Sequence, residues 1–134
     1  MTFLVDTNVV SELTKRRPNP GALAWHEAQT GLTLSAITVD ELSFGVMRAP
    51  PTSRARLVAW LEALLASRPT IVAIDVLVAR VAGQLRADAA NHGRALSQPD
   101  ALVTACALSG DHTLVTRNVR DFRGTGVRLF DPFV

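Results

Sequence analysis

Four acidic side chains follow, or stand close to, short apolar segments that have the composition of buried strands. They are Asp6, Glu41, Asp100 and Asp121. Carboxylate oxygens are hard ligands, and they suit Mg²⁺ or Mn²⁺ better than Zn²⁺. Several carboxylates that converge repel one another unless a cation neutralises them. A fold that brings these four side chains together would therefore support divalent-metal chemistry.

The elements that must position these acids alternate between strand and helix along the chain. Apolar segments predict strands over residues 2–6, 33–37, 70–74, 112–116 and 127–130. Helical spacing of apolar residues predicts helices over 7–15, 22–29, 38–48, 53–67, 75–91 and 99–108, with Asp75 as the N-cap of the fifth.

This alternation indicates an α/β fold of three layers, α/β/α, with a central parallel sheet of four or five strands. A chain of 134 residues has the length of a single domain. In open sheets of this kind, ligands bind beyond the carboxyl ends of the strands. The four acids lie at those ends or at neighbouring helix starts, so we expect them to converge there.

Each acid also has a purely structural interpretation. Asp6 is well suited to cap the helix that begins after it. Glu41 stands three residues after Thr38, which is the spacing of a capping box. Asp100 lies in a first helical turn, where an acid interacts favourably with the helix dipole, and Asp121 lies in a polar loop, where solvated turn residues are common. The joint placement of the four, and no single one of them, favours a metal site.

Composition limits the classes of protein to which the chain can belong. The formal net charge is +2, and Lys15 is the only basic residue besides histidine that is not an arginine. This balance permits a nucleic-acid partner without requiring one. Cys106 is the single cysteine, so neither an intramolecular disulfide nor a Cys/His metal cluster is expected. No signal-like start and no apolar segment near ~18 residues is present, which predicts a cytoplasmic protein without a membrane span.

Four segments of the chain resemble those of the PIN-domain ribonucleases and, among these, the VapC-type toxins of type II toxin–antitoxin pairs. The segments are residues 4–13, 34–42, 98–103 and 114–122. They occur in the order found in the family and span nearly the whole chain. The resemblance implies a single PIN domain over residues 1–134, with a PIN-like fold that is usually dimeric.

The resemblance also implies an activity, which is cleavage of RNA with Mg²⁺ or Mn²⁺ as cofactor. The matching acidic positions are Asp6, Glu41, Asp100 and Asp121, and the supporting polar positions are Asn8, Thr116 and Asn118. Many PIN domains carry a carboxylate where this chain has Asn118. The toxin branch often has asparagine there, with the acid three residues later, as in this sequence.

In the reaction that this implies, Asp6 and Asp100 are expected to bind the metal directly. Glu41 and Asp121 would bind a second metal, or hold and deprotonate the attacking water. Arg117 and Arg120, with Arg123 beyond them, follow the predicted fourth strand. The first two are candidates for contacts with RNA phosphates.

The implied partners are the RNA substrate, a small antitoxin protein that binds operator DNA, and a second copy of the chain in a homodimer. Three other interpretations stay open: a housekeeping RNA-processing nuclease, a phosphoacceptor receiver domain, and a non-catalytic interaction module. A receiver domain uses an acidic pair after its first strand and a lysine after its fifth. Here Thr7 follows Asp6, and the only lysine is Lys15. The chain therefore lacks both features, and the receiver domain is a weaker interpretation than the nuclease.

Overall fold

A computed structural model describes residues 1–134 as five strands and seven helices. The strands are β1 (Phe3–Val5), β2 (Thr33–Ser35), β3 (Thr70–Val72), β4 (Thr113–Val115) and β5 (Leu129–Phe130). The helices are α1 (Thr7–Glu12), α2 (Pro20–Glu27), α3 (Ala36–Arg48), α4 (Pro51–Ala66), α5 (Val76–Asn91), α6 (Gln98–Ser109) and α7 (Val119–Phe122). None of the helices combines the length and apolar character that crossing a membrane requires.

Every hydrogen-bonded pair of strands is parallel, as the alternation of strands and helices predicts. Hydrogen bonds join three of them in the order β1-β4-β5 and join β2 to β3 as a separate pair. β1 and β2 lie side by side, which brings the two groups together. The predicted parallel sheet is confirmed, with its five strands bonded as three and two.

The side chains of β1 and β4 alternate between two apolar cores, because successive residues of a strand point to opposite faces. Leu4 and Leu114 are paired in register and belong to a core that contains residues of α5, α6 and α7. Val5 and Val115 are also paired and belong to a second core with residues of α1, α3 and α4. Helices therefore cover both faces, and the predicted three-layer fold is confirmed.

Polar side chains cap the N-termini of the helices that begin at the edge carrying the four acids. Asp6 caps α1, Ser35 caps α3 and Ser97 caps α6, through side-chain oxygens that accept backbone N–H groups at 2.8, 3.2 and 3.2 Å. The first N–H groups of a helix have no partner within the helix, so these oxygens stabilise each start. The predicted N-cap Asp75 is confirmed at α5, where it accepts the N–H of Val78 at 2.9 Å.

The predicted capping box of Thr38 and Glu41 is wrong. α3 begins at Ala36 with Ser35 as its cap, so Thr38 lies inside the helix and is fully buried. The second strand is shorter than predicted for the same reason, because Ser35 already ends it. Asp121 was expected in a loop, and it lies instead in the short helix α7.

Other helix bounds differ from the predicted ones because proline is tolerated in a first helical turn. Pro20 and Pro51 are the first residues of α2 and α4, which therefore begin two residues earlier than predicted. The missing N–H of proline matters least at that position, and its fixed φ suits the helix. The first helix was predicted over residues 7–15, but α1 ends at Glu12, and residues 13–15 form turns.

Candidate metal centre

Asp6 is the most enclosed of the four acids, with 6% of its surface exposed. Its backbone N–H donates to the carbonyl oxygen of Val115 at 2.9 Å and so continues the pairing of β1 with β4. One carboxylate oxygen accepts the N–H of Thr7 at 2.8 Å, and the other accepts the hydroxyl of Thr116 at 2.9 Å. The carboxylate is thus held by the sheet edge, by the helix start and by a buried hydroxyl.

Asn8 and Thr116 connect Asp6 to the loop that follows β4. The Asn8 amide nitrogen donates to Asp6 Oδ2 and to Thr116 Oγ1, in each case at 3.2 Å. Its oxygen accepts the N–H of Arg117 at 3.1 Å. Thr116 Oγ1 also accepts the backbone N–H of Asn118 at 3.1 Å, whereas the Asn118 side chain does not cap α7. These bonds fix the orientation of the loop relative to Asp6.

Glu41, Asp100 and Asp121 come from three different helices. Glu41 projects from α3, and its Oε1 accepts the hydroxyl of Thr7 at 2.7 Å. The same hydroxyl lies 3.4 Å from that of Thr38. Asp100 stands in the first turn of α6 and is half-buried, while Asp121 is exposed on α7. Thr7 therefore connects the acid of α3 to the end of β1.

The four acids influence one another electrostatically at this edge. The pKa of Asp6 is raised from 3.8 to about 6, mainly by burial and further by the charges of Asp100 and Glu41, although the hydrogen bonds to its oxygens lower it. The pKa of Asp100 is also raised, first by burial and then by the charges of Asp121 and Glu41. Asp6 is thus influenced by Asp100 and Glu41, and Asp100 by Asp121 and Glu41.

The chemistry of this donor set fits a hard divalent cation. A cation would offset both the burial and the repulsion that raise the pKa values of Asp6 and Asp100. No three His, Cys, Asp or Glu side chains lie close enough together to hold one ion in common. Mg²⁺ retains several waters and is usually bound by one or two carboxylates. The arrangement is therefore compatible with two protein carboxylates as direct ligands.

Thr7 and Ser97 support this centre and were not singled out from the sequence. Ser97 caps the helix that carries Asp100 and stands three residues before it, which is a recognisable capping pattern. Thr7 donates to Glu41, which is 34 positions away along the chain. No local pattern reveals a contact between such distant residues.

Replacing Thr116 by valine should destabilise the protein. Thr116→Val preserves the shape of the side chain but removes the donor to Asp6 Oδ2 and the acceptor for the Asn118 N–H. We expect the free energy of unfolding to fall by about 1–3 kcal/mol, because buried polar groups lose their partners. Chemical denaturation of metal-free protein measures this loss. Thr116→Ser retains the hydroxyl as a control, and a valine variant as stable as wild type would contradict the assignment.

Comparisons with known proteins identify the family to which the chain is similar. Residues 3–127 match the PIN domain family. The chain is 34% identical over 138 residues to VapC ribonuclease Y4jK of Sinorhizobium fredii, covering 98% of this chain and 97% of that one. It is 33% identical over 138 residues to toxin FitB of Neisseria gonorrhoeae, covering 98% of each chain. The crystal structure of DNA-bound VapBC from Salmonella typhimurium contains a chain with a TM-score of 0.83 at 27% identity, again with 98% of each chain covered. The resemblance seen in the four sequence segments is confirmed, and the chain belongs to the PIN-domain family.

Proposed function

We propose that the protein is a metal-dependent endoribonuclease, a hydrolase of RNA phosphodiester bonds, and that it acts as the toxin of a toxin–antitoxin pair. The observation that supports this most strongly is the hydrogen-bonded arrangement at the end of β1, where Thr7 joins Asp6 to Glu41 and Thr116 holds the Asp6 carboxylate. The similar proteins named as a VapC ribonuclease and as a toxin support the same activity.

In this proposal Asp6 and Asp100 hold Mg²⁺ or Mn²⁺, which when bound lowers the pKa of water and screens the charge that develops on phosphorus. Asn8 and Thr116 keep the Asp6 carboxylate in its orientation through their hydrogen bonds. Glu41, oriented by the hydroxyl of Thr7, acts with Asp121 to hold the attacking water and take its proton. The water oxygen then bonds to phosphorus as the bond to the leaving ribose oxygen breaks.

Arg117 and Arg120 are the proposed contacts with RNA near this centre. The N–H of Arg117 is bonded to Asn8, and its guanidinium lies over the ring of Phe133 at 4.9 Å from the ring centroid. Arg120 lines a cavity together with Asp121. Neither arginine forms a salt bridge. Their charges are therefore free to attract phosphate groups.

The proposed protein partner is a small antitoxin that also binds operator DNA. Phe44 and Met47 protrude from α3 with 64% and 63% of their surfaces exposed, which supports a protein contact on that helix. The similar chain in the DNA-bound VapBC structure supports the link to DNA. We further propose that residues 1–134 form a single domain, that the chain is a homodimer, and that it acts in the cytoplasm.

Purified protein should cut RNA at internal positions in the presence of Mg²⁺ or Mn²⁺ and stop when EDTA is added. Asp100→Asn should lower the rate by on the order of 10²-fold, because it removes one carboxylate from the centre. Glu62→Gln changes an exposed acid of α4 outside the centre and serves as the matched control. The disappearance of intact RNA with time gives the rate of cleavage, and sequencing of the RNA ends gives the positions of the cuts. Cleavage at the wild-type rate by Asp100→Asn, or in EDTA, would contradict the proposal.

The role as a toxin is tested separately from the chemistry. Expression of the wild-type chain should arrest growth, and co-expression of the small neighbouring gene should relieve the arrest. Cleavage of RNA without any arrest of growth would instead favour the housekeeping RNA-processing nuclease.

A further inference from the structure

A cavity of about 220 Å³ lies beside Asp121, between the loop that follows α5 and the loop that follows α7. Its charged lining residues are Arg94, Arg120 and Arg123 together with Asp88 and Asp121. Three arginines against two aspartates leave an excess of positive charge. Asp121 belongs to the candidate metal centre and also lines this cavity, so the cavity adjoins that centre.

The loop that follows α7 is built around the guanidinium of Arg94. Arg94 Nη1 donates to the carbonyl oxygen of Arg123 at 2.8 Å, and Nη2 lies 3.8 Å from the carboxylate of Asp88. A Cβ atom on residue 124 would overlap this guanidinium, and the φ of +83° at Gly124 also favours glycine. The absence of a side chain at Gly124 thus creates the space in which Arg94 lies.

The adjoining surface is also basic. A second cavity of about 360 Å³ shares Arg120, Asp121 and Arg123 with the first and extends to Arg117. Of the four arginines in the two cavities, only Arg94 pairs with an acid, and that contact is long and exposed. We call the surface formed by Arg94, Arg117, Arg120 and Arg123 the arginine groove. Asp121 lines both of its cavities.

We propose that the arginine groove binds the backbone of the RNA, and that Arg94 and Arg123 contact a phosphate other than the one that is hydrolysed. This inference rests on the proposed ribonuclease function. Planar guanidinium groups bind phosphate oxygens in pairs, and such contacts position a strand without reading its sequence. Arg94 lies outside the segment 117–123 that carries the other three arginines, and only the fold brings it beside Asp121.

The test compares Arg94→Gln and Arg123→Gln with Arg86→Gln in the full chain. Arg86 is an exposed arginine of α5 that does not line either cavity, so its replacement makes the same change in charge elsewhere. The probe is a fluorescein-labelled single-stranded RNA of about 20 nucleotides, followed by fluorescence anisotropy in EDTA from about 50 to about 200 mM KCl. EDTA prevents cleavage while binding is measured.

We expect Arg94→Gln and Arg123→Gln each to weaken binding by roughly three- to tenfold. Each should also reduce the slope of log K against log salt by about 0.7, which corresponds to one lost contact with single-stranded phosphate. Arg86→Gln should bind the RNA with the wild-type affinity and slope. Because the Arg123 side chain makes no salt bridge, its variant tests the groove even if Arg94→Gln folds poorly.

Other outcomes overturn the proposal. Wild-type affinity and slope in both variants would show that the groove does not bind RNA, and would leave the proposed ribonuclease function intact. Weaker binding at an unchanged slope would mean that these residues act only on the shape of the loop. Loss of antitoxin binding with unchanged RNA binding would assign the groove to a protein. Failure of the ribonuclease function itself has a different signature, which is wild-type protein that does not cleave RNA in Mg²⁺.

Discussion

Asp6→Asn should lower the rate of RNA cleavage by on the order of 10³-fold, and it should abolish the part of the pH dependence of stability that comes from Asp6. The carboxylate is buried beside two other negative charges, so its ionised form is unfavourable without a cation. Asparagine preserves the size of the side chain but not the charge. The rate is measured with RNA in Mg²⁺, and the free energy of unfolding is measured in EDTA from about pH 4 to about pH 7.5.

The sign and size of this pH dependence follow from the pKa of Asp6. The pKa of Asp6 is about 6 in the folded protein and 3.8 ordinarily, so the folded state holds its proton more tightly. Ionisation therefore favours unfolding, and wild-type stability falls as the pH rises from about 4 to about 6, by at most about 3 kcal/mol. We expect the stability of Asp6→Asn to lack this fall with pH, because asparagine does not ionise; no overall gain is expected, because its amide nitrogen cannot accept the hydrogen bonds that an Asp6 oxygen accepts.

Comparison of the two proteins isolates Asp6, because the other shifted acids occur in both. Asp100 has a raised pKa, which acts in the same direction, and Glu12 has a pKa lowered chiefly by its bond to Lys15, which acts in the opposite direction below about pH 4.5. Addition of Mg²⁺ should stabilise the wild type and have much less effect on the variant. An Asp6→Asn protein that cuts RNA as fast as wild type would exclude Asp6 as a metal ligand.

Phe122→Ala should have the largest effect on stability, with a fall in the free energy of unfolding of about 3–5 kcal/mol. Phe122 is 1% exposed and belongs to the core that includes Leu4 and Leu114. This loss is a large fraction of the stability of an ordinary domain, which is about 5–15 kcal/mol. Denaturation with urea measures the change.

The substitution should also disturb the candidate metal centre, because Phe122 anchors α7 in the core. That helix has only four residues, and it carries Arg120 and Asp121. We expect cleavage by Phe122→Ala to be impaired even at low temperature, where the protein is still folded. Phe44→Ala makes the same substitution at an exposed site and should change the free energy of unfolding by no more than about 0.5 kcal/mol. Equal losses at the two positions would contradict the role of Phe122 as an anchor.

The fold class followed from local patterns along the chain. Each strand is a short apolar run and each helix has apolar residues at helical spacing, so their alternation could be predicted without knowledge of contacts. The errors lie at the ends of elements, where single side chains decide. Ser35 starts α3 earlier than Thr38 would, and Pro51 is accepted inside α4 because a first-turn residue needs no N–H partner.

The sequence by itself determined that Asp6 ends a strand and that Asp100 stands in a first helical turn, because apolar runs and capping residues are local signals. It also carried the order of motifs by which the family is recognised. Only the tertiary structure decided that Thr7 would orient Glu41, that Thr116 would bond Asp6, and that Arg94 would lie over Gly124. These contacts join residues far apart in the chain, and they form only when β1, β4 and the helices around them pack together.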